Sequence, residues 1–269
     1  MQRYFGDKTV VLTGAASGIG RALARRLSSC GATVHALDAN AAGLDSLVAE
    51  SRGPGKIHTA VLDVTNKEAY ASVIQEVLRV SGSIDFLFNN AGVTQLGEAQ
   101  NIPFERWKWL LDINLMGVVH GTQLVYPVMI AQGRGHIINT ASIAGATGYA
   151  TAAAYTASKA AILEFTRSLR AEARAYGVRV SVACPGYVDS GIFAQDRIIG
   201  AERDAVIRDL PVKMMTPDVA AGHLLAGVKA QKDTIIFPFS AKFLWYLSTW
   251  APSCIAPFHR KFMRVFQSQ

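Results

Sequence analysis

Cysteine is scarce in this chain. The three present, Cys30, Cys184 and Cys254, stand far apart and form no CxxC pair, which argues against a disulfide framework and fits a reducing compartment. The six histidines are as scattered, without HExxH or comparable spacing, so no metal site is expected. Charge is sparse as well. Lys, Arg, Asp and Glu make up 17% of the 269 residues against 50% apolar ones, a balance that excludes a disordered chain. The charge leans basic, at +7 overall, but no long basic run and no zinc-finger or RNP-like motif accompanies it, so no nucleic-acid partner is expected. The opening MQRYFGDKTVVLTG lacks a basic stretch followed by an apolar one. No secretory leader is expected there, and the expected location is cytoplasmic.

What is present is alternation. Short β-branched runs fall at 9–13, 33–37, 57–62, 86–89, 136–140, 178–183 and 234–238. Amphipathic or alanine-rich stretches lie between them at 19–29, 41–51, 66–80, 103–131, 153–176 and 217–230. Apolar strands alternating with helices predict a parallel sheet covered on both faces. Right-handed crossovers then predict an α/β, Rossmann-like, doubly wound sheet of about seven strands. A mixed α+β layout would need tight hairpins, and none is visible. Residues 1–239 read as one domain, and 240–269 as an apolar, basic extension of it rather than a second domain.

The stretch TGAASGIG, residues 13–20, follows the first strand and opens the first helix. Bare glycines there let a pyrophosphate meet backbone N–H groups at a helix N-terminus. Gly14, Ser17, Gly18, Ile19 and Gly20 are the expected contacts. Asp38 follows the second strand, where a carboxylate binds the adenosine ribose hydroxyls and repels a 2′-phosphate. NAD is therefore expected in preference to NADP, although Arg21 and Arg25 lie nearby on the first helix.

Further motifs carry a resemblance. The chain resembles the short-chain dehydrogenase/reductases: TGxxxGIG at 13–20, NNAG at 89–92, an asparagine at Asn114 in DINLMG, and a serine at Ser142 in NTASIAG. The YxxxK pair falls at Tyr155 and Lys159, and the PG turn at Pro185-Gly186. The resemblance spans residues 7–238. One departure is Ser190, where the family often has threonine and where a hydroxyl is still offered. The resemblance implies an oxidoreductase interconverting a secondary alcohol and a ketone, with Asn114, Ser142, Tyr155 and Lys159 catalytic. Asn114 would hold a water connecting Lys159 to solvent. Asn90, Ala91 and Gly92 would line the cofactor ribose, Val188 and Ser190 its carboxamide, and Asp63 with Val64 its adenine. Asp63 has an alternative reading as a helix cap near Thr65. The resemblance also implies transfer of the pro-S hydride, and a homodimer or homotetramer built on helices 103–131 and 153–176.

The chemistry of the pair can be read from the residues. A phenol ionising near 10 is a poor base at neutral pH, and a lysine four residues on shares its helix face. A cation there is expected to favour tyrosinate, and bringing the phenol pKa from about 10 to about 7 takes about 4 kcal/mol of differential stabilisation. Ser142 would stabilise charge on the substrate oxygen. The alternatives are a helix cap for Ser142, a satisfied buried amide for Asn114, and a non-catalytic NAD-binding sensor or scaffold for the whole chain.

Val93, Thr94, Ile143, Ala144, Tyr149, Tyr187 and the segment 191–212 are the expected substrate contacts. They suggest an apolar alcohol or ketone: lipid-, steroid- or aromatic-like. The tail KFLWYLSTWAPSCIAPFHRKFMRVF mixes aromatics with Lys242, Arg260, Lys261 and Arg264 and holds no acid. Its uncharged stretch is shorter than the ~20 residues a span requires. Two readings stand: an interfacial helix on a membrane surface, with the protein peripheral to it, or an apolar arm over the cleft or a partner subunit. The second is favoured, because aromatic side chains serve packing more often than lipid contact.

Overall fold

The structure is a computed structural model and describes residues 1–210 and 212–267. Pro211, inside the expected substrate segment, and Ser268 and Gln269, at the end of the extension, lie outside the described residues. Seven strands, β1 (Thr9–Thr13), β2 (Thr33–Asp38), β3 (Lys56–Val61), β4 (Phe86–Asn89), β5 (Gly135–Thr140), β6 (Val178–Pro185) and β7 (Thr234–Phe237), form one sheet in the order β3-β2-β1-β4-β5-β6-β7. Every pairing is parallel. The order reverses between β1 and β4, which opens a crevice beyond their carboxyl ends. Strand β6 runs two residues past its predicted end because Pro185 still pairs with Phe237.

The crossovers are helices α1 (Gly18–Ser29), α2 (Ala41–Glu50), α3 (Lys67–Ser81), α4 (Phe104–Gln132), α5 (Ala153–Ala173) and α6 (Pro217–Lys229). They enclose two cores, one on each face of the sheet. Val10, Leu12, Leu23 and Leu224 belong to the first, and Val11, Leu87, Val125 and Ile137 to the second. Alternate residues of β1 thus serve opposite cores, as the pleat requires.

Two predicted helices are altered. Helix α4 passes through a π-helical turn at Asp112–Met116, so 103–131 is not one regular helix. Helix α5 ends at Ala173 and tightens into a 3₁₀ turn, Arg174–Tyr176, stopped by Gly177 in the left-handed region. A short helix, Gln2–Phe5, precedes β1 where the sequence pattern predicted none. It forms because Phe5 is fully buried, with its ring 5.3 Å from that of Phe86.

A buried polar chain ties sheet to helix. Asn89 Nδ2 donates to Asn139 Oδ1 at 2.9 Å, and Asn139 Nδ2 donates to Thr166 Oγ1 at 3.0 Å. These groups are almost completely buried, so each depends on its partner. The chain runs from β4 through β5 to α5.

The extension folds as helices α7 (Phe239–Trp250) and α8 (Ala256–Gln267), joined through a 3₁₀ turn, Pro252–Ile255. Phe262, Val265 and Phe266 of α8 pack with Leu96, Ala152, Ile198 and Val206 as a separate apolar cluster. The extension thus closes over the domain it follows.

Candidate active site

A cleft of about 630 Å³ runs along the carboxyl ends of the strands. At one end lies the glycine-rich loop. Gly14 and Gly18 have φ of 68° and 51°, which a side chain disfavours. A Cβ on Gly20 would run into the Gly14 carbonyl oxygen and stand 2.7 Å from Asn90 Nδ2. Gly14, Ser17, Gly18 and Ile19 line the cleft, whereas Gly20 lies behind them. The loop is held from below. Thr13 Oγ1 accepts from the N–H groups of Asn90 and Ala91 at 3.0 and 3.1 Å, and Asn90 Nδ2 donates to the carbonyls of Thr13 and Gly14 at 3.1 and 3.3 Å. Thr13 was not among the expected site residues; its hydroxyl at a strand end, directly before a glycine, was the available signal. Asn90 lines the cleft as expected, but its amide also clamps the loop.

Asp38 is fixed by two backbone donors, Ala16 N–H to Oδ2 and Asn40 N–H to Oδ1, each at 2.9 Å. Arg21 turns away from the cleft: it donates to the Ala16 and Gly43 carbonyls and pairs with Glu50 at 2.8 Å. Asp63 and Val64 line the cleft. Asp63 Oδ1 accepts from the Thr65 N–H and hydroxyl, while the cap of α3 is Asn66, which accepts from Ala69 N–H at 2.9 Å. The helix-cap alternative therefore belongs to Asn66.

Further along the cleft, α5 brings Tyr155 and Lys159 to Ser142. Lys159 is 3% exposed, and its Nζ donates to the Thr140 carbonyl at 3.0 Å. Burial pushes its pKa down to about 8. Nζ stands 5.7 Å from the centre of the Tyr155 ring. The expectation of a lowered phenol pKa is corrected here. Burial pushes Tyr155 up to about 12, and the neighbouring Ser142 hydroxyl opposes the rise. The reason is placement: the ammonium bonds a carbonyl and lies over the ring, while desolvation disfavours a second charge. Ser142 Oγ also accepts from Ala144 N–H at 3.1 Å, although the N-cap of the short helix Ala144–Thr147 is Ile143.

Asn114 lies in the π-turn, fully buried and outside the cleft lining. Its Oδ1 accepts from Val93 N–H at 2.8 Å, and its Nδ2 donates to Val93 O at 2.9 Å and to Ser158 Oγ at 3.0 Å. The buried-amide alternative therefore describes its side chain. A Cβ on Gly92 would stand 3.1 Å from Lys159 Nζ and 3.2 Å from Asn114 Oδ1, so glycine keeps the gap between them open.

Ala91, Gly92, Pro185, Gly186, Val188 and Ser190 all line the cleft. So do Val93, Thr94, Ile143, Ala144, Tyr149 and Tyr187, with Gly191, Ile192, Phe193, Arg197 and Leu210 of the later segment. The sequence reading missed Leu96, Trp109, Ile113, Ala152 and Phe262. Phe262 belongs to α8, and the Tyr149 ring lies 6.1 Å from that of Phe258, which agrees with an arm over the cleft. Arg197 is half-buried, with its Nε buried and unpartnered. Among the described residues, no group of three or more His, Cys, Asp or Glu side chains is placed to hold a metal.

A doubly wound parallel sheet with a bare glycine-rich loop, an anchored carboxylate and a Ser–Tyr–Lys group in one cleft is the arrangement of a dinucleotide-dependent oxidoreductase. Residues 8–198 match the family described as short chain dehydrogenase, and the chain belongs to the short-chain dehydrogenase/reductase family. It is 39% identical over 184 residues to the 3-oxoacyl-(acyl-carrier-protein) reductase FabG of Thermotoga maritima, covering 68% of this chain and 75% of that one. The ketoacyl reductase HetN of a Nostoc species is 33% identical over 230 residues, covering 85% of this chain and 78% of that one. A short-chain dehydrogenase/reductase from Burkholderia phymatum, solved in complex with NAD, superimposes with a TM-score of 0.83 at 28% identity, covering 90% of this chain and 93% of that one.

Proposed function

We propose that this enzyme interconverts a secondary alcohol and a ketone using NAD, with Tyr155 as general acid/base. The observation that carries this is the convergence of Tyr155, Ser142 and Lys159 in the cleft that holds the glycine loop and Asp38. The residues fit a dinucleotide: two left-handed glycines leave the α1 N-terminus bare, and Asp38 is anchored beside it. When bound, the dinucleotide would accept or give the hydride and, in its oxidised form, would bring a positive charge to the site.

In the oxidation direction Tyr155 takes the proton from the alcohol oxygen, and in reduction it returns it. Ser142 donates to that oxygen as its charge changes. Lys159 remains largely protonated below its pKa of about 8, and its field favours the phenolate. Asn114 keeps Val93 fixed, and the absence of a side chain at Gly92 leaves Lys159 Nζ and Asn114 Oδ1 uncrowded. Val188 and Ser190 line the cleft and would hold the carboxamide, with pro-S transfer the outcome expected from the family resemblance.

Asp38 favours NAD over NADP, and the engagement of Arg21 with backbone and Glu50 supports that preference. Asp38→Ala removes a charged acceptor that contributes about 1.5–3 kcal/mol. It is expected to raise the KM for NAD by about tenfold or more and to narrow the preference over NADP, measured as initial rates with each cofactor.

The substrate body is apolar, given Ile143, Tyr149, Phe193 and Phe262 in the lining. Arg197 adds a specific demand. Its unpartnered Nε suits a substrate bearing a carboxylate or another strong acceptor away from the reacting carbon. Arg197→Met is expected to raise KM for such a substrate by about 10- to 100-fold with kcat little changed. A screen of apolar secondary alcohols, with and without a terminal carboxylate, read at the absorbance of reduced nicotinamide, tests the function. Binding of NADH without turnover of any would favour a sensor instead. A homodimer or homotetramer through α4 and α5 is part of the proposal, supported by Phe104 and Met116 exposed along α4.

A further inference from the structure

Helix α7 has two unlike faces. Inward, Ala241 is buried and Trp245 packs against the cluster of Val118, Ala141 and Ile162. Outward, Phe239, Phe243, Tyr246 and Trp250 are 82%, 61%, 55% and 82% exposed. Spaced four, three and four apart, they fall within about 60° of one another on the helix. Together they leave roughly 600 Å² of aromatic surface in water, at the top of what a soluble monomer presents without a use for it.

We infer that this face of α7 seats the protein on an anionic lipid surface. Charge distinguishes that occupant from a second copy of the chain. From residue 234 to 269 there is no acid, while Lys242, Arg260, Lys261 and Arg264 are basic. Lys242 is exposed on the flank of the aromatic stripe, and Arg260 and Arg264 are exposed on α8. A two-fold interface sets the same patch against itself, so the basic side chains flanking one copy's stripe would face an equally basic segment with no acidic side chain to pair with them. Anionic headgroups supply the missing charge. A Trp- and Tyr-bearing apolar face flanked by cations is the composition of a helix lying in the bilayer interface. The location also suits the cleft, because α7 leads through Pro252–Ile255 into the helix whose Phe262 lines it. An apolar substrate dissolved in lipid would then lie near the mouth.

The test is flotation of the full chain with vesicles of phosphatidylcholine plus phosphatidylglycerol, against phosphatidylcholine alone. Its readout is binding, independent of turnover. The wild type is expected to float with the anionic vesicles and to be released by high salt. The double variant Phe243→Ser/Trp250→Ser is expected to weaken this by about tenfold or more, with NADH binding and thermal midpoint unchanged. Lys242→Glu should weaken binding to the anionic vesicles by about tenfold while leaving any binding to phosphatidylcholine unaltered. Absence of flotation, or flotation that the double variant leaves intact, overturns the inference. So does sedimentation velocity in which the double variant breaks up an oligomer of a wild type that ignores vesicles, which would assign the face to a second copy.

Discussion

Tyr155→Phe is expected to lower kcat/KM by about 10³-fold or more while leaving the Kd for NADH within about threefold. The substitution deletes one oxygen from a half-buried ring and leaves the Lys159–Thr140 bond untouched. No neighbour is placed to take over. Ser142 Oγ already accepts from Ala144 N–H, and Lys159 Nζ is committed to a carbonyl. The demand on this oxygen is severe, because burial alone holds its pKa near 12. Proton transfer at neutral pH is therefore expected to draw on the field of Lys159, to which an oxidised cofactor would add when bound. As pH rises through about 8, the lysine loses its proton and that field weakens, so the assistance belongs to the lower side of that value. Initial rates and fluorescence titration of NADH separate the two effects. Turnover retained in the variant would remove Tyr155 from the chemistry.

Gly20→Ala should be nearly as damaging, by another route. The added methyl would collide with the Gly14 carbonyl, a backbone atom that moves only if the loop moves. Asn90 Nδ2 stands 2.7 Å from the same position and is bonded to the Thr13 and Gly14 carbonyls. Relieving the clash means opening that clamp and displacing the helix N-terminus that would hold the phosphates. Affinity for NADH is expected to fall by about 100-fold or more, with a lower thermal midpoint, because the clamp also joins β1 to β4. Calorimetric titration and a melting curve read the two. Unaltered NADH affinity would mean that the loop is softer than its contacts indicate.

The strands and crossover helices were legible because each answers to a local pattern: short β-branched runs, buried on both sides in the middle of the sheet though not at its β3 edge, and amphipathic stretches between them. The meeting of Ser142, Tyr155 and Lys159 in one cleft was legible through motif spacing. What escaped depends on distant contacts. The π-turn at Asp112–Met116 has no sequence signature of its own; it accompanies an Asn114 side chain bonded to Val93 and Ser158. Trp109, Ile113 and Leu96 enter the cleft only once their segments are brought together, and Phe262 arrives from the far end of the chain. The direction in which the Tyr155 pKa moves escaped for a related reason. Spacing shows that a lysine is near, but not that its ammonium is turned to Thr140.

The polar chain from Asn89 through Asn139 to Thr166 has a consequence for how such a cleft can change. Helix α5 is pinned twice, by Lys159 to Thr140 and, seven residues on, by Thr166 to Asn139. A rod fastened at two points of one strand can neither slide nor roll, so the phenol keeps its bearing whatever surrounds it. Walls drawn from α4, residues 191–210 and α8 can then be exchanged like interchangeable jaws around a fixed tool, altering what is gripped without re-aiming the part that reacts.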